Sequence, residues 1–213
     1  MGRSILPTVE LELAARREHG VELVAGIDEA GRGAIAGPVV AAAVILPLDD
    51  QQRMVALDKV NDSKQLNGSL REELCSTIIE HALAYGVGVT PAHIIDEMGI
   101  IPANARAMTQ AIEQLKPMAQ YLLLDGRMRL ANIPLPQQSV IRGDSYSRSI
   151  AAASILAKVT RDRIMTEFSL RFPDYGFQRH KGYCTPQHVA SLGQFGPCSI
   201  HRLSFEPLRT VLL

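Results

Sequence analysis

Apolar residues recur along this chain in two periods, and the changes of period outline an α/β protein. Residues 8–19 read as a helix that stops at His19-Gly20, because glycine accepts the left-handed backbone that ends helices. Glu22 to Asp28 reads as a strand, and Pro38 to Leu46 is an almost unbroken apolar run of buried-strand character. The glycine-rich turn between them predicts a hairpin. Ser69 followed by Glu72 predicts a capping box, behind which Leu70, Leu74 and Ile78 mark one face of a helix. A third strand is expected over Leu83 to Val89, then a helix over 103–116 with Met108, Ile112 and Leu115 on one face. Tyr121 to Gly126 is a short buried strand ending in an acid and a turn, and Ser139 to Arg142 is another short strand. A long helix is expected from about Ser147 to Phe172, opening with the small residues of Ile150 to Ser154. Strands first, then alternating helices and strands, imply a mixed central sheet flanked by helices. With no internal repeat or linker-like stretch, residues 1–213 are expected to form a single domain with a helical C-terminal extension from about residue 173.

Composition narrows the chemistry. Tryptophan is absent and 46% of residues are hydrophobic, so the core must rest on Val, Ile, Leu and Ala. Lys plus Arg and Asp plus Glu each number 22, so nucleic-acid binding would need a local basic patch rather than overall charge. Cys75, Cys184 and Cys198 form no Cys-x-x-Cys pair and suit free thiols in a reducing compartment. The six histidines show no pair at zinc-ligand spacing. No apolar run reaches membrane-spanning length and the N-terminus lacks a secretory pattern, so a cytoplasmic protein is expected.

Acids recur where strands end. Asp28 and Glu29 close the first strand, Asp125 closes Leu122–Leu124, and Asp144 precedes the long helix. Ends of central strands are where sites assemble in open α/β sheets. Clustered carboxylates repel one another unless a cation neutralises them, and all-oxygen ligands select Mg²⁺ or Mn²⁺ over zinc. Each acid also has a purely structural reading: Asp125-Gly126 is a common turn pair, and Asp144 sits where a helix N-cap belongs.

Gly31-Arg32-Gly33 follows the first acids, and with Ala34-Ile35-Ala36 it spells a dinucleotide fingerprint. That motif must open a helix, whereas Gly37-Pro38 and a β-branched run follow here, which excludes it. Tyr175 to Tyr183 interleaves aromatic and basic residues between glycines, which suits either nucleic-acid contact or an ordinary surface loop. Arg148, Lys158 and Arg161 read as a wet helix face, Lys64 as a solvated loop residue, and His201 to Phe205 as structural.

Taken in order, these motifs resemble the bacterial ribonuclease HII family over roughly Val24 to Phe205. The blocks are Gly26-Ile-Asp28-Glu29-Ala-Gly31-Arg32-Gly33, Asp62-Ser63-Lys64-Gln-Leu66, Leu123-Leu-Asp125-Gly126, and Gly143-Asp144 with Ser149-Ile-Ala-Ala-Ala-Ser154. Lys158-Val-Thr-Arg161-Asp162 and His180-Lys181-Gly182-Tyr183 complete the set. The resemblance implies a ribonuclease-H-like fold with a helical C-terminal portion. It implies a metal-dependent endoribonuclease that cuts the RNA strand of RNA–DNA hybrids and incises 5′ to ribonucleotides embedded in duplex DNA. A two-metal mechanism with Mn²⁺ or Mg²⁺ would leave 3′-hydroxyl and 5′-phosphate ends. The family's metal-binding and catalytic acids fall on Asp28, Glu29, Asp125 and Asp144. Its ribonucleotide-sensing turn falls on Gly31, Arg32 and Gly33, and its junction-reading tyrosine on Tyr183, while Lys64 and Lys181 become further substrate contacts. Arg142, Ser145 and Cys184 stand where lysine, alanine and glycine are usual, and Cys184 is expected to stiffen the Tyr183 loop. No additional N-terminal substrate-binding domain of the type HIII enzymes is recognised, which favours type HII. The expected partners are RNA–DNA hybrids and ribonucleotide-containing duplexes, with no membrane, and the protein is expected to be a monomer. The rival readings are a junction-resolving nuclease, against which the Gly-Arg-Gly turn and Tyr183 argue, and a hybrid-binding protein without catalysis. The latter would gain nothing from clustered negative charge beside phosphates.

Overall fold

The computed structural model describes residues 6–211, apart from 62, 64 and 65. Five strands form one sheet: β1 (Val24–Ala30), β2 (Val39–Ile45), β3 (Ala84–Thr90), β4 (Tyr121–Asp125) and β5 (Gln137–Val140). Their spatial order is β3-β2-β1-β4-β5. β1, β2 and β3 run antiparallel, whereas β4 lies parallel to β1 and β5 parallel to β4. The expected hairpin and the mixed sheet are both present.

The run of β2 is apolar throughout because both its faces are covered. Val39, Ala41, Ala43 and Ile45 join Ala107, Met108 and Ala111 of α5 (Ile100–Glu113) in one core layer. Val40, Ala42 and Val44 face the other way, onto α3 (Gly68–His81) and α6 (Arg148–Arg171). There Leu74 and Ile78 of α3 are buried, with Leu70 packed beside them, which gives the helix face its expected target.

Several boundaries move for identifiable reasons. β1 continues through Asp28 and Glu29 to Ala30, so the acids lie inside the strand rather than ending it. Helix α1 (Glu10–His19) does stop at Gly20, which is left-handed. Helix α3 is capped by Asn67, whose side chain accepts from the Leu70 amide at 2.9 Å. Ser69 already lies within the first turn, so the expected capping box does not start this helix. Two short helices, α2 (Gln51–Ala56) and α4 (Ala92–Met98), have too few residues for a visible period, and α5 starts at Ile100 directly after Gly99. The cap of α6 is Ser147, not Asp144: Ser147 Oγ accepts from the Ile150 amide at 3.2 Å. Beyond α6, α7 (Phe177–His180) and α8 (Pro186–Phe195) pack around a small cluster that includes Met165, Tyr175, Phe177 and Ile200, and α9 (Leu208–Val211) follows.

Helix α6 sits unusually close to β1. Ala151, Ala152 and Ala153 are fully buried, and Gly26 lies directly beneath Ser149 and Ile150. A Cβ on Gly26 would collide with the Ile150 amide and with the carbonyl carbon and hydroxyl of Ser149. Backbone cannot swing aside as a side chain can, so Gly26→Ala should cost about 1–3 kcal/mol in urea denaturation. An unchanged unfolding midpoint would show that the helix can lift without penalty.

Candidate active site

Alternation along the strands decides which acids meet. Gly26 and Ala30 of β1 face the α6 side, so Asp28 between them does too. In β4, Tyr121 and Leu123 face α1 and the start of α6, which puts Asp125 on that same side. The parallel register pairs Ile27 with Leu124, so Asp28 and Asp125 lie level one step further on. Register cannot be read from apolar spacing, and it is what brings the two acids together.

Asp28 is buried, and the Ser154 hydroxyl donates to its carboxylate. Its Oδ1 accepts the Glu29 amide at 2.7 Å. Burial first, and then the charges of Asp125 and Glu29, push the Asp28 carboxyl well above the ordinary carboxylate range. Asp125 is held from the opposite side, its Oδ1 accepting the Gly143 amide at 2.6 Å. Asp144 is buried in the 3₁₀ turn Gly143–Ser145, immediately after that anchoring amide.

These groups border a cavity of about 310 Å³. Asp28, Glu29, Asp125, Gly31, Arg32, Gly33 and Tyr183 all line it. Asp144 and Lys181 do not. Lys181 donates to Thr166 Oγ1 at 2.7 Å in an adjoining groove, which shares Arg71 with the cavity. Lys64 falls outside the described residues. Four polar lining residues had no functional role in the sequence reading: Ser63, Arg71, Ser154 and Lys158, the last read as part of a wet helix face. A signal was available for two of them, since Ser154, Lys158 and Arg161 recur at helical spacing behind the small-residue run. Among the described residues, no group of three or more His, Cys, Asp or Glu side chains stands ready-made as a metal centre. The donor chemistry nevertheless fits a hard cation, because neighbouring like charges already strain Asp28 and every acid here offers oxygen.

The turn beside the acids is built on two buried arginines. Arg202 donates from Nε to the Gly37 carbonyl at 3.0 Å, from Nη1 to Arg32 at 3.0 Å and from Nη2 to Gly31 at 2.8 Å. Arg161 donates to the carbonyls of Pro38, Lys181 and Ala36 at 2.9, 2.8 and 3.1 Å. It is fully buried, which corrects its reading as a wet-face residue, and its guanidinium lies 5.3 Å from the Tyr183 ring centroid. Gly31, with φ of +86°, rests directly on Arg161, leaving no room for a side chain. Gly33 instead faces open space. Arg32 itself is half exposed, 3.7 Å from Glu29.

Comparison with known proteins identifies the family. The family model for Ribonuclease HII matches residues 25–208, nearly the whole described chain. The chain belongs to the ribonuclease HII family. The Ribonuclease HII of Ruminiclostridium cellulolyticum is 55% identical over 187 residues, covering 88% of this chain and 71% of that protein. That of Chloroflexus aurantiacus is 48% identical over 209 residues and 98% of both chains. Among solved structures, the ribonuclease H2 of Pyrococcus horikoshii OT3 superposes with a TM-score of 0.76 at 27% identity, over 89% of this chain and 97% of that one. The fold is ribonuclease-H-like, and the protein is a metal-dependent endoribonuclease of a family that implies action on RNA–DNA hybrids. Among the described residues no helix is long and apolar enough to cross a membrane.

In this family member, the Tyr183 loop is tied down by histidines. His188 Nδ1 donates to the Tyr183 carbonyl at 2.9 Å, so its Nε2 is the acceptor in the neutral ring. His201 Nδ1 accepts the Cys198 amide at 2.9 Å, so its Nε2 carries the proton and donates to His188 Nε2 at 3.0 Å. Protonating either ring would set two N–H groups against each other. Burial lowers both histidines from 6.5 to about 4. Between those values the unfolded chain binds more protons than the folded one, so this stability is complete above pH 6.5 and is lost as pH falls towards 4. The unfolding free energy from urea titrations should fall across that window, by at most about 3 kcal/mol for the first histidine protonated. His188→Gln should flatten the slope, and an equally steep profile in that variant would remove the pair as its cause.

Proposed function

We propose that this protein incises duplex DNA 5′ to embedded ribonucleotides as well as cutting the RNA strand of hybrids, in the service of ribonucleotide removal. The carrying observation is that Asp28 and Asp125 lie level on adjacent parallel strands and share one cavity with the Gly31–Gly33 turn and Tyr183. Asp28, Glu29, Asp125 and Asp144 would hold two divalent cations, Mn²⁺ or Mg²⁺. When bound, these supply an activated water and neutralise charge on the leaving oxygen, giving 3′-hydroxyl and 5′-phosphate ends.

The chain's own groups select the substrate. A 2′-hydroxyl both donates and accepts hydrogen bonds, and it alone distinguishes RNA from DNA at a given nucleotide. The open space at Gly33 lets backbone approach that hydroxyl without a side chain intervening. Tyr183, with its ring partly exposed and backed by Arg161, stacks on the neighbouring deoxyribose and crowds out a second 2′-hydroxyl. Lys158 and Arg71 in the cavity offer cationic contacts to phosphates, and Lys181 does so further along the strand through the adjoining groove. Lys64 is assigned the same role on its place in the sequence motif alone. The protein acts as a cytoplasmic monomer in this reading.

Cleavage of three duplexes tests it: one with a single ribonucleotide, one uniform hybrid and one all DNA. The first two should be cut in Mn²⁺ or Mg²⁺ and none in chelator, and equal cutting of the all-DNA duplex would overturn the assignment. Asp125→Asn should lower turnover by at least about 100-fold while hybrid binding persists. Tyr183→Ala should reduce incision at the single ribonucleotide several-fold more than hybrid cleavage, at roughly the 1–3 kcal/mol value of a stacked aromatic. Equal losses on both substrates would take junction reading away from Tyr183.

A further inference from the structure

Helix α1 contributes nothing to the cavity lining, yet it sends one carboxylate into the interior. Glu12 is fully buried. Its Oε1 accepts three hydrogen bonds: from Ser147 Oγ at 2.6 Å, Ser149 Oγ at 2.6 Å and the Ser149 amide at 2.9 Å. Its Oε2 is buried without a hydrogen-bond partner among the described residues. A buried acceptor left unsatisfied is costly, and an apolar side chain would avoid that cost. What the carboxylate holds explains its presence.

Ser147 caps α6, so Glu12 places negative charge where the helix dipole favours it. The neighbouring chain is stitched to the same place: the Thr8 amide donates to Tyr146 O at 3.1 Å, and the Arg148 amide to Thr8 O at 2.8 Å. Two backbones that carry acids meet this helix start. One is β1 at Gly26, two residues before Asp28, in contact with Ser149 and Ile150. The other is the 3₁₀ turn, whose Gly143 carbonyl accepts the Ser147 amide at 2.8 Å while its amide holds Asp125. A continuous hydrogen-bonded path therefore runs from Glu12 through Ser147 and Gly143 to Asp125.

We infer that Glu12 is a positioning residue for the acidic cluster, fixing the start of α6 against β1 and the 3₁₀ turn and so setting the spacing of Asp28, Asp125 and Asp144. The inference rests on the reading of those acids as cation ligands. Loss of an outer-shell partner typically weakens metal binding by about 10–100-fold, and Glu12 acts one link further out.

Mn²⁺ binding to the folded, metal-free protein provides the test, read by electron paramagnetic resonance of free Mn²⁺ with circular dichroism as the check on folding. Glu12→Ala should bind Mn²⁺ about tenfold more weakly with its helical signal intact. Glu12→Gln keeps an acceptor at the Oε1 position and should recover most of that loss. Ser149→Ala removes one of the three donors and should fall between. Wild-type affinity in folded Glu12→Ala overturns the inference. Should that variant fail to fold, wild-type affinity in Ser149→Ala overturns it instead. Asp125→Asn reports separately on the acids themselves. If it binds Mn²⁺ as tightly as the wild type, the cation assignment fails whatever Glu12 does.

Discussion

The close seating of α6 on β1 is the constraint from which the site follows. Gly26 has no side chain, so the backbone at Ser149 and Ile150 can come down onto the strand. Helix and strand then advance together. Ser154, one turn on, reaches Asp28, and Arg161, two turns further, lies under Gly31. Lys158 falls between them and lines the cavity. A bulky residue at 26 would lift the helix and move all three contacts at once, because spacing along a helix is fixed. The alanine run behind Ser149 serves the same contact over β1 and β2.

Opposite charges are handled differently on the two sides of the cavity. Burial and the charges of Asp125 and Glu29 raise the Asp28 carboxyl, a cost that a bound cation would relieve. The two buried guanidiniums form none of the observed carboxylate ion pairs, and backbone carbonyls satisfy them instead. Arginine suits this because its five donors are fixed in a fork and its charge survives burial better than that of lysine. The carbonyls of the turn are thereby held by donors of the chain itself.

Periodicity and motif order made much of this legible. The hairpin, the α3 face at Leu74 and Ile78 and the long helix all follow from apolar spacing. Asp28, Glu29 and Asp125 stood out because acids at the ends of apolar runs need a reason. Three things were hidden. Helix caps depend on local dihedrals, so Asn67 and Ser147 took the places expected for Ser69 and Asp144. Arg161 looks like a surface residue in sequence, because backbone carbonyl acceptors leave no partner residue to recognise, whereas the structural reading of His201 to Phe205 holds for the buried Arg202. Glu12 was invisible for a related reason: its partners are serines more than a hundred residues away.

The parallel pairing of β1 with β4 carries a consequence for how the molecule forms. Val24 and Tyr121 are neighbours in the sheet but roughly a hundred residues apart in the chain. A hairpin such as β1–β2 can close early, whereas this ladder must wait for a long crossover to be ordered. Asp28 meets β2 across a short connection, whereas its approach to Asp125 depends on the docking of β4. The repulsion between the two acids is imposed at that docking step, which a divalent cation present during folding would ease. In the proposed reading, a cation held between Asp28 and Asp125 would thus also favour the docking of β4 on β1.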